Sequence, residues 1–138
     1  MFLRASEGMR RIWALHRFFK SARQRSTPEA RGMRLLRAWL SPKQRDQFDS
    51  FWYFDVVGSA TGKKYRIHFG VSANVQEIGE DGLPRRGWCF VPAACLVPGD
   101  VMLAQKIALE TNECAALAVA NKFSIIIPAI RERHRRPF

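Results

Sequence analysis

The chain lacks most of the signatures that would assign it a chemistry. Its three cysteines, Cys89, Cys95 and Cys114, are odd in number and widely spaced, which argues against the disulfide framework of a small secreted domain and against the closely paired ligands of a structural zinc site. No run approaches the roughly 18 to 20 apolar residues of a membrane-spanning helix; the longest apolar stretches are Cys114 to Ala120 and Ile125 to Ile127. The first apolar stretch is broken by Arg10, Arg11 and Arg17, so it does not read as a secretory signal, and a reducing, cytoplasmic setting is expected. The glycines at 58, 62, 70, 79, 82 and 87 fit turns rather than a phosphate loop: Gly62-Lys63-Lys64 has neither the upstream glycine nor the following hydroxyl that such a loop requires. No cofactor is implied.

Acidic residues are also missing from both ends. Residues 1–40 hold ten Lys/Arg against two Asp/Glu, residues 123–138 hold four against one, and residues 41–122 hold nine of each. The excess of +11 therefore lies entirely outside a neutral middle. Such segregation suits attachment to something anionic, nucleic acid or a membrane surface. With 138 residues, 47% of them hydrophobic, the chain is long enough for one cored domain and too short for two of ordinary size.

Residues 7–24 set Met9, Ile12, Trp13, His16 and Phe19 at helical spacing, with Arg10, Arg11, Arg17, Lys20 and Arg23 mostly elsewhere on the wheel, predicting a basic amphipathic helix. Thr27-Pro28-Glu29 supplies a cap, a first-position proline and an early acid for a second helix that buries Met33, Leu36 and Leu40. Ser41-Pro42-Lys43-Gln44 spells a capping box for a third helix, which carries Phe48, Phe51 and Trp52 on one face. Four strands follow, at about 54–57, 64–69, 74–78 and 86–91, joined by short turns. Asp100 is placed to cap a last helix reaching about Asn121, with Leu103, Ile107, Cys114, Leu117 and Ala118 on its buried side. Phe123 to Ile127 suits an edge strand or a docked segment, and the basic tail follows. The expected architecture is α+β: N-terminal helices, a four-stranded antiparallel meander and a long C-terminal helix packed on the sheet. The expected division is a basic extension at 1–32, one domain at 33–122, and an apolar segment with a basic tail at 123–138.

Residues 33–122 carry a resemblance. Leu40-Ser41-Pro42-Lys43-Gln44, Val57-Gly58-Ser59 with Thr61-Gly62 and Tyr65-Arg66-Ile67, Asn74-Val75, Trp88-Cys89 and the run Gly99 to Glu110 are similar to short uncharacterised bacterial and phage-type proteins. That resemblance implies a common fold and no activity. Because it begins near Met33, that methionine is an alternative start, which would leave residues 1–32 as an upstream extension. The same segment is Arg-rich and poor in acids, as transit peptides are.

The candidate nucleic-acid contacts are Arg10, Arg11, Arg17, Lys20 and Arg23 in the first helix, beside the apolar Trp13, Phe18 and Phe19, and Arg131, Arg133, Arg135 and Arg136 in the tail. Lys64 and Arg66, with Lys63, His68, Arg85 and Arg86, form a second candidate on the solvent side of the sheet; alternating polar residues are also what any half-exposed strand needs. Such contacts would hold a phosphate backbone without reading bases. The reading is a small non-catalytic module binding nucleic acid electrostatically. The alternative is a protein-interaction or assembly component using Trp13, Phe18, Phe19 or Ile125 to Ile127. A thiolate pair of Cys89 with His68 is the enzymatic option, and Asp46, Asp49, Asp55 and Asp100 are the acids to test for acid/base work.

Overall fold

The computed structural model describes residues 11–17, 27–92 and 94–125. Residues 11–17 are helical (α1). The elements that follow are α2 (Pro28–Trp39), α3 (Pro42–Phe51), β1 (Tyr53–Val57), β2 (Lys64–His68), β3 (Val75–Ile78), β4 (Pro84–Cys89), α4 (Pro98–Val119) and β5 (Asn121–Ser124). The strands form one antiparallel sheet in the order β1-β2-β3-β4-β5. The fold is α+β with the C-terminal helix on the sheet, and a fifth strand extends the expected four. Asn121–Ser124 lies beside β4 because Phe123 packs over Gly87, where any Cβ would meet the Phe123 ring at 2.0 Å.

Both early helix starts follow local chemistry. Thr27 accepts a bond from the Ala30 N–H at 3.2 Å with Pro28 in the first turn. Ser41 and Gln44 complete the capping box at 3.2 and 3.1 Å. Trp52 ends α3 in the left-handed region, at φ 62°, and turns the chain into β1. Gln44 and Gln47 then reach the outer edge of β1, Gln44 donating to the Asp55 carbonyl at 3.0 Å and Gln47 accepting from the Asp55 N–H at 2.8 Å. Side-chain amides thus satisfy backbone groups that an edge strand would otherwise offer to another chain.

Strand alternation sets two faces. Phe54, Val56, Tyr65, Ile67, Val75 and Trp88 are buried together with Met33, Leu36 and Leu40 of α2, Phe48 of α3 and Met102, Leu103 and Leu109 of α4. The helices α2 and α4 cross at glycines: a Cβ on Gly99 would lie 2.3 Å from the carbonyl carbon of Gly32 and 2.6 Å from the backbone nitrogen of Met33. Ala30 and Gly32 of α2 are buried, and so is Leu15 of α1.

Several local expectations are corrected. Asp100 does not cap α4; the helix begins at Pro98 with Val97 at the cap position, and Asp100 sits in its first turn. Ile107, Cys114 and Ala118 are exposed, while Gln105, Lys106 and Glu113 are buried. The interior on this side is partly polar, so hydrophobic periodicity picks the wrong stripe. Phe51 is 56% exposed rather than pressed inward with Phe48. In α1 it is Leu15 that is buried, with Ile12, Trp13 and His16 exposed.

Candidate functional site

A buried carboxylate holds the loop between β1 and β2. Glu113, 1% exposed, accepts from the Ala60 N–H at 2.9 Å and the Thr61 N–H at 2.8 Å on one oxygen, and from the Thr61 hydroxyl at 2.5 Å and the Tyr65 hydroxyl at 2.6 Å on the other. Burial alone would raise this carboxyl, but the four donors outweigh it and hold it at about 2. Burial and the adjoining carboxylate push the Tyr65 phenol up, so Tyr65 stays the donor. Gly58 is required beside it, because a Cβ there would fall 2.4 Å from the carboxylate.

The same loop enters α4. Asn112 breaks the helix, with φ −150° and ψ 69°, so the bond that would join the Leu109 carbonyl to the Glu113 N–H is absent. Ser59 replaces it from outside: its N–H donates to the Leu109 carbonyl at 3.0 Å and its hydroxyl accepts from the Glu113 N–H at 3.0 Å. The Asn112 side chain then caps the second half of the helix, accepting from the Ala115 N–H at 3.3 Å. A helix interrupted by an inserted polar group has a definite cause, and here the cause is a hairpin loop. A second polar anchor lies at the other end of β2, where Asn74 and Gln105 exchange two buried bonds at 2.9 and 2.8 Å.

Beside the loop, Thr61 to Lys64, Glu77 to Glu80, Gly82, Arg85 and Arg86 line a cleft of roughly 720 Å³. Lys63, Lys64, Arg85 and Arg86 face Glu77 and Glu80 across it. Glu77, 10% exposed at its side chain, holds Lys63 at 3.2 Å and Arg86 at 3.5 Å, and Arg85 pairs with Asp81 at 3.1 Å. The lining therefore carries four cations against two anions, a net positive concavity at one end of the sheet.

The outer face of the sheet is a row of polar and aromatic groups. Asp55, Arg66, Gln76, Gly87 and Phe123 stand side by side in the register. Arg66 binds Asp55 through two nitrogens at 2.9 and 3.1 Å and lies 4.1 Å from the Tyr53 ring centroid. Although burial opposes it, the Arg66 bonds bring the Asp55 carboxyl below its ordinary range, and the Asp55 bonds push Arg66 up. Tyr53 stacks on Phe51 at 5.4 Å and 14°, and meets His68 edge-on at 5.3 Å.

These positions sort the sequence candidates. Arg11 and Arg17 lie exposed on α1; Arg10, Lys20, Arg23, Arg131, Arg133, Arg135 and Arg136 fall outside the described residues. Lys64 is exposed beside the cleft, and Arg66 is engaged by Asp55. Arg86 shares a cross-strand row with Tyr65 and Glu77, one step from the row of Arg66 and Gln76, so the basic strand residues divide between the two faces instead of forming one surface. His68 and Cys89 are separated by the intervening β3, about two strand spacings or 10 Å, and His68 is bonded to Gln76 at 3.0 Å; they do not form a dyad. Among the described residues no group of three or more His, Cys, Asp or Glu is arranged to hold a metal, and no helix is long and apolar enough to cross a membrane. Of the candidate acids, Asp49 is bound to Arg37 and Asp55 to Arg66. Glu113, Ser59 and Asn112 were not legible as a site. An asparagine next to a β-branched threonine inside a helical run was the one available signal.

Comparison of the chain with family models, with curated proteins and with solved structures finds no match.

Proposed function

We propose that this chain is a small non-catalytic module that binds nucleic acid through its phosphates, with little sequence preference. The observation that carries the reading is the segregation of charge: the whole excess of +11 lies outside residues 41–122. Within the described part of that excess, Arg11, Arg17, Arg31 and Arg34 are exposed on the outer sides of α1 and α2. The cationic cleft adds a second positive region on the folded unit. Binding of this kind releases counterions, so affinity for duplex falls steeply between two salt concentrations. Removal of residues 1–26, which spares the Thr27 cap, deletes seven Lys/Arg and one acid and should flatten the salt dependence and weaken binding sharply. Nucleic-acid affinity unchanged by that truncation, or no binding of either duplex or single strand at low salt, rejects the proposal.

A second reading has its own support. The same outer helices expose Ile12, Trp13, Leu35 and Trp39 at 50, 64, 48 and 60%, more large apolar surface than a purely electrostatic contact needs. A partner protein or a second copy would cover it. Mass that rises with concentration in light scattering favours this reading, and a mass constant across the concentration range counts against it.

A further inference from the structure

We infer that the outer face of the sheet, around Phe51, Tyr53 and Arg66, is a stacking platform that selects single-stranded over duplex nucleic acid; the inference rests on the proposed binding of nucleic acid and names the form that is bound. The helices α2, α3 and α4 pack on the opposite face, against Phe54, Val56, Tyr65 and Ile67. The outer face keeps groups that have no role in that core. Phe51 is 56% exposed and lies nearly parallel to Tyr53, with ring centroids 5.4 Å apart. Arg66 adds its guanidinium over the Tyr53 ring at 4.1 Å and is fixed there by both oxygens of Asp55. His68 abuts Tyr53 and is held by Gln76. The result is a fixed ladder of flat groups ending in the open ring of Phe51.

Burial does not explain an exposed phenylalanine placed to extend a stack. A flat, apolar, polarisable ligand explains it, and the bases of a single strand are such ligands, whereas a duplex keeps its bases paired and stacked away from side chains. Charge complementarity supplies the second half of the argument. Tyr53 pairs with His68, so exposed Lys64 lies four residues along β2 from the stack, about 13 Å by strand rise, with the cleft of Lys63, Arg85 and Arg86 beyond it. A single strand with a base on Phe51 and its backbone running along β2 would bring its phosphates to the positive end of the same sheet.

The test uses the full chain with a labelled oligothymidylate and a duplex of equal length, each titrated at two salt concentrations. The wild type is expected to bind the single strand more tightly than the duplex. Phe51→Ala should weaken the single strand by between about fivefold and a hundredfold, the worth of one base stacked on one ring, and leave the duplex and both salt slopes unchanged. Phe51→Leu keeps apolar bulk without a ring and should behave like Phe51→Ala, while Phe51→Tyr should restore binding; thermal melting of each variant separates a lost platform from a lost fold. Equal wild-type affinity for the two forms overturns the inference, as does a Phe51→Leu protein that melts like wild type and binds like it. Self-association that Phe51→Leu abolishes would also overturn it and give the face to a second copy. Absence of binding to either nucleic acid removes the underlying proposal instead, so the two failures are distinct.

Discussion

Replacing Glu113 by glutamine tests whether one buried carboxylate organises the loop and the helix break together. Four donors converge on it: two backbone N–H groups, the Thr61 hydroxyl and the Tyr65 hydroxyl. Glutamine is nearly isosteric and can satisfy the same geometry if its oxygen faces the two amides and its NH2 group faces the two hydroxyls, which rotate to accept. The variant then loses charge assistance on four bonds. Bonds to a charged group contribute about 1.5 to 3 kcal/mol against about 0.5 to 1.5 for neutral ones, about 4 to 6 kcal/mol over four bonds; the neutral amide escapes the carboxylate's desolvation cost, which offsets part of this, so the expected loss is about 2 to 4 kcal/mol, or a fall in Tm on the order of 10 °C. The pH dependence gives an independent measure. The folded carboxyl titrates at about 2 and the ordinary value is 4.5, so between them the unfolded chain binds more protons. Stability is fully present above about 4.5 and is lost as pH falls toward 2, by about 3 kcal/mol from this one group. Urea unfolding from pH 7 to pH 3 should show this acid limb in the wild type, and a shallower one in Glu113→Gln. A variant within about 0.5 kcal/mol of wild type at pH 7, with an identical acid limb, would refute the argument.

Two further substitutions probe close approaches. Gly99→Ala would drive a methyl into the backbone of Gly32 and Met33, which cannot rotate away, so α2 and α4 must separate; chemical denaturation should show a loss on the order of 3 kcal/mol, and an unchanged midpoint would contradict the crossing. Gly87→Ala strikes only the Phe123 ring, and should release β5 locally: amide exchange at residues 121–124 accelerates while protection in α2 and α4 is kept. Slow exchange at those amides in the variant would show that Phe123 does not fix the fifth strand.

What the sequence disclosed divides by the kind of interaction involved. Signals that act within a few residues were legible: the Thr27-Pro28 start, the Ser41–Gln44 box, and the alternation of Tyr65 and Ile67 with Lys64, Arg66 and His68. These depend on local hydrogen bonds and on the side-chain period of a strand. The face of α4 was not legible, because Gln105, Lys106 and Glu113 are buried and each is satisfied by a partner: Gln105 by Asn74, Lys106 by Glu110 at 2.6 Å, and Glu113 by the β1–β2 loop. Gln105 and Glu113 have partners far off in sequence, and such a polar residue looks like a surface residue until the partner is known; Lys106 pairs within its own helix, as exposed i,i+4 pairs also do. Lys64 and Arg66 were singled out for their charge, yet pairing with Asp55 fixes Arg66; of the aromatic neighbours that give it a second use, Phe51 was read as part of a helix face and Tyr53 was passed over between helix and strand.

The loop from Gly58 to Lys63 joins these regions mechanically. Its inner side is fixed by Glu113 and by the Ser59 insertion into α4, and its outer side presents Lys63 to Glu77 across the cleft. The cations of the cleft are therefore positioned from two sources: Arg86 by the strand register opposite Glu77, and Lys63 by a loop whose shape is set from α4. If the two were independent, loss of the Glu113 carboxylate would lower stability and leave polyanion binding by the folded fraction untouched. Because Thr61 is bound to Glu113 and the Lys63 N–H donates to the Thr61 hydroxyl at 3.2 Å, the loop cannot relax without moving Lys63. Glu113→Ala, which removes all four acceptor bonds and frees the loop, should accordingly reduce the salt slope of binding at a temperature where the variant is fully folded, and a slope equal to that of wild type would show that the cleft takes no part in holding phosphates.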